Sequence, residues 1–476
     1  MRLNALKVRA DNDRMSLRLV TPREPAECPT MTGLLAGLSF ALDLADGQRF
    51  GHTLRSTLIG LGLAEVMGLG TGERRELFHA LLLKDLGGPG ATGALHRLFG
   101  GDDRRAKHDL RRMDWRRFGD VMRTCAAHDD DPRWLTRTTR AVTRTRHAPR
   151  LANEALEARA AHAVARVGEL GLGEPVARTI AAIGEHWDGG GGPHGVRGSA
   201  IPLAARIAAL AQSAEVCLAL GGPAGALAMA RERRGRWFEP ALVVALGTLE
   251  REMEAWSMLG EHELIGEVIA GEPGAATLLL SDAMLERVAR AFARVVDAKS
   301  SWTAGHSEHV AEMAGRVACG LGFGTGEVGA VRRAALLHDL GKLALPVSIL
   351  DQQGPLSPEQ WESVRRQPYY THRILSRVRG VGPLADDASS HHERIDGRGY
   401  FRGLSGDRIP LTGRIIAVAD SFQALTSDRP FRGALPEETA LRLLARDRGI
   451  GIDPDCHAAL VDTLEYTGIE PLERAA

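Results

Sequence analysis

The sequence predicts an all-α protein that is built from two tandem helical bundles. Apolar residues recur at helical spacing through most of the chain, and no segment alternates with period two for long enough to require a sheet. Glycine-rich turns at 189–192 and 397–406 punctuate the two halves at corresponding places. The same motifs also recur in both halves at matched spacings, which indicates a tandem duplication.

Composition limits the possible environments and partners. The 476 residues and 44% hydrophobic content allow two or three domains with real cores. Lys plus Arg equals Asp plus Glu at 60 each, so no overall field favours nucleic acid or an anionic membrane. The five cysteines form no Cys-x-x-Cys pair, and we find no run of about eighteen apolar residues. We therefore expect a cytoplasmic protein that binds neither a membrane nor nucleic acid directly.

The duplication follows from two pairs of anchor positions. The separation of 32 residues from His52 to Lys84 in the first half recurs from His306 to His338 in the second. The separation of 24 residues from Asp188 to Gln212 likewise recurs from Asp396 to Asp420. We predict an N-terminal segment at 1–30, a first repeat at 31–265, a linker at 266–280 and a second repeat at 281–470.

The first repeat carries an insertion of about 46 residues within the region from about 88 to 180. Residues 104–150 hold fourteen Lys and Arg against six Asp and Glu, with Trp115, Phe118 and Trp134 interleaved. Basic segments with aromatic residues can bind nucleic acid. The basic residues here are spread at helical spacing among apolar ones, so we favour a solvated helical insertion.

Candidate metal ligands cluster in the second repeat. His338 and Asp339 follow a run of apolar residues and precede Gly341, a pattern typical of the last turn of a buried helix. Two further histidines, a carboxylate after an apolar run and an upstream histidine complete the set: His391, His392, Asp420 and His306. Imidazole and carboxylate together are the ligands of borderline divalent metals such as iron, manganese and zinc.

These motifs resemble the HD-GYP branch of the HD phosphohydrolase superfamily over about 175 residues, 290 to 465. The resemblance rests on four stretches of the second repeat: 305–307, 338–342, 391–400 and the segment from Asp420 to 430. It implies two tandem HD-type helical bundles with two or three metals in the active one. Active members of the family hydrolyse cyclic di-GMP.

The resemblance also implies roles for individual residues. One metal is expected on His306, His338, Asp339 and Asp420, and Asp339 is expected to bridge to a second metal on His391 and His392. Asp339 and Lys342 are the expected catalytic residues, with Lys342 placed over the phosphate. Contacts to the nucleotide are expected from three more residues: Tyr400, Arg429 and Arg432.

Two departures from the family pattern lie in the second repeat. Gln367 stands where the family has a histidine, which weakens the expected second metal site, and Phe401 stands where the family has a proline. We expect the helix that begins after Ser357 to present Gln367 to the site.

The first repeat has lost four of the six ligand positions. His52 and Asp85 remain, but Lys84 replaces the histidine of the His-Asp pair. We expect a pseudo-domain without catalytic metal, in which the Lys84 ammonium pairs with Asp85 or another carboxylate. Such a unit could support a homodimer or bind a signalling partner.

The predicted function is that of a metal-dependent phosphohydrolase acting on a cyclic dinucleotide of the cyclic di-GMP type, or on another small phosphoester. Two alternatives stay open at this point. One is a signalling protein that binds such a ligand with little turnover, and the other is an HD phosphatase for ordinary nucleotides.

Overall fold

The computed structural model of the protein describes residues 30–110, 118–128, 133–274, 280–378 and 380–464. These residues form α-helices joined by turns and four short 3-10 segments, and they contain no β-strand. The prediction of an all-α fold with two tandem bundles is confirmed.

The first half contains twelve helices within its described residues. They are α1 (Met31–Ala45), α2 (His52–Val66), α3 (Thr71–Leu83), α4 (Thr92–Phe99), α5 (Asp103–Leu110), α6 (Phe118–Ala127), α7 (Trp134–Glu169), α8 (Glu174–Ala181), α9 (Leu203–Glu232), α10 (Pro240–Gly247), α11 (Glu250–Met258) and α12 (Glu261–Ala270).

The second half contains ten helices within its described residues. They are α13 (Asp282–Asp297), α14 (His306–Gly320), α15 (Thr325–Leu337), α16 (Val347–Leu350), α17 (Pro358–Arg365), α18 (Gln367–Leu375), α19 (Gly382–Ser389), α20 (Leu411–Thr426), α21 (Glu437–Arg446) and α22 (Pro454–Thr463). The 3-10 segment Leu340–Ala344 joins α15 to α16.

The two halves repeat the same local contacts. Asp43 at the end of α1 accepts hydrogen bonds from the backbone N and the hydroxyl of Thr53, at 3.0 and 2.7 Å. Asp297 at the end of α13 accepts the corresponding bonds from Ser307, at 3.1 and 2.8 Å. The duplication seen in the sequence therefore fixes the start of α2 and of α14 in the same way.

The insertion of the first repeat forms α4, α5, α6 and most of α7. A small separate core supports it, whose members include Leu95, Leu98 and Phe99. The side chains of Arg105 and Arg123 are each 81% exposed, as expected for a solvated helical insertion. Trp115 and the side chains of Phe118 and Trp134 lie outside the described residues.

The carboxyl-terminal part of α7 takes the place that α18 has in the second repeat. Gly341 packs so tightly that an added Cβ would lie 1.9 Å from the backbone O of Gln367. Gly87, its counterpart, packs at the same distance from the backbone O of Arg159. Arg159 is therefore the first-repeat counterpart of Gln367.

The two halves share one continuous hydrophobic core. Helix α1 is buried along nearly its whole length, and an added Cβ on its Gly37 would lie 2.5 Å from a methyl carbon of Val378. Arg373 of α18 pairs with Glu261 of α12 at 2.8 Å, and Arg377 pairs with the same carboxylate. The predicted linker at 266–280 starts inside α12, and residues 275–279 lie outside the described part.

Ser357 is an N-cap as predicted. Its side chain accepts a hydrogen bond from Gln360 N at 3.3 Å, and the Gln360 side chain accepts from Ser357 N at 2.8 Å. The predicted course of this helix is wrong, however, because α17 ends at Arg365 and Gln367 begins α18. Pro368 explains the break, since it has no backbone N–H to extend the hydrogen bonds of α17 but is tolerated in the first turn of α18.

One helix in the described part of the chain, α9, is long and apolar enough to cross a membrane by length and composition alone. Of the most apolar 18-residue stretch of this helix, 61% is buried inside the protein. The helix is also interrupted at Gly221 and Gly222, where the backbone leaves the helical region. These are the features of a core helix, and we describe α9 as one.

Candidate metal centre

The proposed ligands come from four helices that converge in the second repeat. His338 is the C-cap of α15, whose apolar residues are buried. Asp339 follows it at the point where the chain turns into the 3-10 segment. His306 is the first residue of α14, and His391 lies just after α19. Asp420 projects from the middle of α20. The last turn of a buried helix that the sequence predicts around His338 is confirmed.

The ligand atoms lie close to one another. His306 Nε2 is 3.4 Å from Asp339 Oδ2 and 3.2 Å from Asp420 Oδ1. His338 Nε2 is 3.1 Å from Asp339 Oδ2 and 3.9 Å from Asp420 Oδ1, and His391 Nε2 is 4.0 Å from Asp339 Oδ1. Two overlapping groups could each hold an ion: His306 with His338 and Asp339, and His338 with His391 and Asp420.

The second nitrogen of each ring fixes its orientation. His338 Nδ1 lies 2.6 Å from Ala335 O, and His391 Nδ1 lies 2.8 Å from Ala388 O. Nδ1 therefore carries the proton in both rings, and Nε2 keeps its lone pair. These two Nε2 atoms and that of His306 are buried and make no hydrogen bond within the described part of the chain. Unbonded ring nitrogens aimed at ionised carboxylates fit a divalent metal.

Electrostatics at the site favour a bound cation. Burial lowers the pKa of His391 well below its usual range and that of His392 to about 4, so both imidazoles are neutral at pH 7. Burial acts on His306 in the same direction, but Asp339 and Asp420 outweigh it and raise its pKa to about 9. Both carboxyls have a pKa well below the usual range despite burial, because positive charge surrounds them. A divalent cation between these groups would supply the positive charge that the two carboxylates attract.

His392 and Tyr400 lie beside the cluster. The His392 ring centroid is 4.0 Å from that of His391 and 4.8 Å from that of Tyr400. Neither of the two metal-binding groups includes His392. Burial raises the pKa of the Tyr400 phenol above its usual range, so the hydroxyl keeps its proton and can donate a hydrogen bond.

The expected phosphate-binding cations differ in their surroundings. Lys342 Nζ donates to Asp339 Oδ2, so its positive charge lies next to this carboxylate. The Arg432 guanidinium donates to the carbonyls of Leu425 and Ala424, at 2.9 and 2.6 Å, and so caps the end of α20. The backbone N of Arg429 donates to Arg432 O at 2.8 Å. The Arg432 side chain thus holds the loop that follows α20 in this structure.

Gln367 faces the site as expected, although it belongs to α18. Its Nε2 donates to His338 O at 3.0 Å and lies 3.3 Å from Asp339 Oδ1 and from Thr371 Oγ1. Its Oε1 is buried and makes no hydrogen bond with described residues. The amide therefore stands beside the carboxylate where the family places an imidazole.

Phe401 occupies a strained position on the glycine-rich loop. Its φ is +98°, a conformation that a bulky side chain rarely adopts. The ring lies 6.0 Å from Tyr369 and 5.5 Å from His372, measured between centroids. This packing supports the strained backbone beside Tyr400.

Three residues that support the candidate metal centre are not among the predicted site residues. Gln423 binds the Nδ1 of His306, and Thr371 donates to His338 O at 3.0 Å. Glu393 is buried and accepts the backbone N–H groups of Arg402 and Leu404, at 2.8 and 3.0 Å. The sequence spacing could have identified Gln423, because it lies one helical turn after Asp420 and therefore on the same face of α20.

The first repeat replaces the metal ligands with ion pairs. The buried Lys84 ammonium pairs with Asp85, which confirms the expected pairing. Arg159 pairs with the other oxygen of Asp85. His52 and Arg55 both bind Glu215, the counterpart of Gln423. Fixed cations thus surround the carboxylate that corresponds to Asp339.

Comparison with known proteins agrees with this geometry. The HD domain family model matches residues 143–242 and 290–456. The 3'3'-cGAMP-specific phosphodiesterase 3 of Vibrio cholerae is 35% identical over 442 residues, which cover 92% of this chain and 96% of that protein. A cyclic di-GMP phosphodiesterase response regulator of Xanthomonas campestris is 41% identical over 36% of this chain and 45% of its own length.

A solved structure extends the similarity to three dimensions. The crystal structure of a cyclic GMP-AMP specific phosphodiesterase from V. cholerae superposes with a TM-score of 0.64 at 31% identity, covering 92% of this chain and 99% of that one. Since the family model matches more than half of the chain and a full-length relative is 35% identical, the chain belongs to the HD-domain family of metal-dependent phosphodiester hydrolases.

Proposed function

We propose that the second repeat hydrolyses a phosphodiester bond of a cyclic dinucleotide at a two-metal centre. The observation that carries this proposal is the convergence of three buried, unbonded Nε2 atoms on Asp339 and Asp420. Structural histidines normally satisfy both ring nitrogens when buried, so three exceptions at one point indicate ligands.

The proposed ligand sets follow from these distances. His306, His338, Asp339 and Asp420 would hold a first metal, and Asp339 and His391 would hold a second. His392 completes the second set or orients the substrate beside Tyr400. Divalent metals at such a site supply a hydroxide nucleophile at neutral pH and neutralise charge on the phosphoryl group.

The remaining residues act on the substrate directly. Lys342 places a positive charge next to Asp339, where the phosphoryl oxygens gain charge in the transition state. Tyr400 offers a protonated hydroxyl and an aromatic face to the nucleotide. Arg429 is the remaining candidate for a phosphate contact, because the Arg432 side chain is bound to backbone carbonyls.

Within this class, we propose the mixed guanine–adenine cyclic dinucleotide, 3'3'-cGAMP, as the preferred substrate. The support is the relative that matches both repeats and the insertion over nearly its whole length, whereas the matched cyclic di-GMP phosphodiesterases cover less than half of this chain. A panel of 3'3'-cGAMP, cyclic di-GMP and cyclic di-AMP tests this. We expect 3'3'-cGAMP to be cleaved fastest by the anaerobically purified protein, and faster cleavage of cyclic di-GMP would contradict the proposal.

One observation favours a second candidate, a binding protein with little turnover. The Gln367 amide donates towards Asp339 Oδ1, where the family has an imidazole that binds metal. A weak second site would retain the ligand and slow its hydrolysis. Tight binding of 3'3'-cGAMP, without cleavage, by folded protein that retains fewer than two metals per chain would favour this candidate.

Two further expectations belong to the proposal. Cys125, Cys319 and Cys456 are free thiols, which supports a cytoplasmic location. A homodimer or a signalling partner that binds through the first repeat stays a prediction.

A further inference from the structure

A cavity of about 540 Å³ lies in the first repeat, at the place where the second repeat holds its metal ligands. The positions of His391, His392 and Asp420 are taken there by Ile183, Gly184 and Gln212, all of which line the cavity. Replacing two imidazoles and a carboxylate with smaller or uncharged groups leaves this space. Its volume lies within the range of about 300–1,000 Å³ that small-molecule sites occupy.

The wall of the cavity is mainly apolar. Helices of the insertion form one side and the first-repeat bundle forms the other, with Leu95, Leu156, Ile180, Trp237 and Phe238 among the lining residues. The Trp237 ring is held in place by the stacked ring of His186, with a centroid distance of 4.3 Å, and by the Arg233 guanidinium, which lies 3.8 Å from its centroid. These two partners fix Trp237, which adds a rigid aromatic group to the apolar wall.

The cations in the described wall are already neutralised. Lys107 Nζ lies 3.3 Å from Asp103 Oδ2. Arg159 pairs with Asp85 and lies 3.7 Å from Asp46. A ligand with two phosphates would find no surplus positive charge among these residues, and burying its charge would be costly. The charge balance therefore selects against a cyclic dinucleotide and for an uncharged molecule.

Helix α5 connects this cavity to the metal centre. Lys107 near its end lines the cavity, and Asp103 at its start accepts a hydrogen bond from Val347 N of the second repeat at 2.9 Å. Arg104 donates to Ala344 O, the last residue of the 3-10 segment that begins directly after Asp339. A ligand that shifts α5 therefore acts on the turn that carries Asp339 and Lys342.

From these observations we infer that the first repeat is an effector-binding unit. Its cavity takes an uncharged, largely apolar molecule, and α5 transmits occupancy of the cavity to the 340–347 segment of the second repeat. The lost metal site has in this way become a regulatory site of different chemistry.

The binding test uses the uncharged fluorescent probe N-phenyl-1-naphthylamine. We expect saturable binding of one probe per chain, weakened by at least about tenfold, or 1.4 kcal/mol, in Ala152→Phe and in Ala209→Leu, which fill the cavity from opposite walls. Val164→Phe is the matched control, since Val164 lies on the same helix as Ala152 and is 41% exposed. Two filling variants on different helices guard against the misfolding of one.

Three results would overturn the assignment of the cavity. They are absence of saturable binding to folded wild-type protein, equal binding in wild type and both filling variants, and displacement of the probe by 3'3'-cGAMP in Asp339→Asn. The last result would mean that the cavity takes a cyclic dinucleotide. None of these readouts depends on turnover, so the outcome is separate from that of the proposed hydrolase.

The connection through α5 is tested by amide hydrogen exchange of the peptides that span 340–350. We expect saturating probe to change their exchange rates in wild type, and to leave them unchanged in Asp103→Ala and in Arg104→Ala, which remove the two hydrogen bonds. Exchange rates in wild type that do not respond to the probe would refute the connection.

Discussion

Removal of the Lys84 ammonium tests the idea that fixed cations replaced the metal in the first repeat. The side chains of Lys84 and Asp85 are completely buried, and Arg159, the other partner of Asp85, is 27% exposed. Loss of one partner of a buried ion pair costs about 3–5 kcal/mol, because the remaining charge is left without compensation. Arg159 still binds Asp85 in Lys84→Met, so we expect a loss of about 3 kcal/mol, at the lower end of that range.

The double variant Lys84→Met/Asp85→Leu removes both buried charges. Replacing a buried pair by apolar residues of similar volume is often neutral or stabilising, so we expect the double variant to recover to within about 1 kcal/mol of wild type. Urea unfolding followed by far-UV circular dichroism measures both changes. Arg178→Met is the control, because Arg178 and Glu174 form an exposed pair that contributes little to stability. A double variant as unstable as Lys84→Met would refute the reasoning.

Three other perturbations test separate parts of the structure. Gln367→His adds an imidazole beside Asp339, so we expect a higher metal-to-protein ratio and faster turnover, measured by elemental analysis and product formation. Glu215 has a pKa of about 2 because His52 and Arg55 outweigh its burial, so its contribution to stability is present above pH 4.5 and is lost as the pH falls towards 2. Its size is on the order of 3 kcal/mol, and Glu215→Gln should therefore lack this acid-dependent loss in circular dichroism. Glu393→Ala removes the acceptor that holds the glycine-rich loop, so we expect a raised KM for 3'3'-cGAMP with metal content unchanged.

Each of these predictions has a control or a contradicting result. An unchanged metal content in Gln367→His would mean that position 367 does not affect the second site. Glu174→Gln, at a side chain that is 77% exposed, should leave the acid transition in place, and an equal effect of both glutamine variants would remove the special role of Glu215. Loss of metal in Glu393→Ala would show that the loop supports the ligands themselves.

The sequence predicted the fold and the residues that converge at the candidate metal centre, because both depend on local patterns. The matched spacings of the two halves defined the repeat, and the apolar run before His338 placed the His-Asp pair at a helix end. The Lys84–Asp85 pairing followed from electrostatics alone, since a buried carboxylate needs a positive partner.

Contacts between distant segments could not be predicted in this way. The pairing of Arg159 with Asp85 spans 74 residues and depends on how the insertion folds, so nothing local identifies Arg159 as the counterpart of Gln367. The break between α17 and α18 depends on Pro368, which cannot donate the backbone hydrogen bond that would extend α17, and apolar periodicity does not show this. The bonds from Arg432 to backbone carbonyls reflect the path of a loop, which apolar periodicity does not encode.

The most direct test of the central claim compares wild type with Asp339→Asn after anaerobic purification. Bound metal per chain and hydrolysis of 3'3'-cGAMP are measured on the same samples, and circular dichroism confirms that both proteins are folded. Because Asp339 is proposed as a ligand of both metals, we expect metal to be lost and the rate to fall by at least about a hundredfold. An Asp339→Asn protein that keeps its metal and more than about a tenth of the wild-type rate would contradict the assignment of this site.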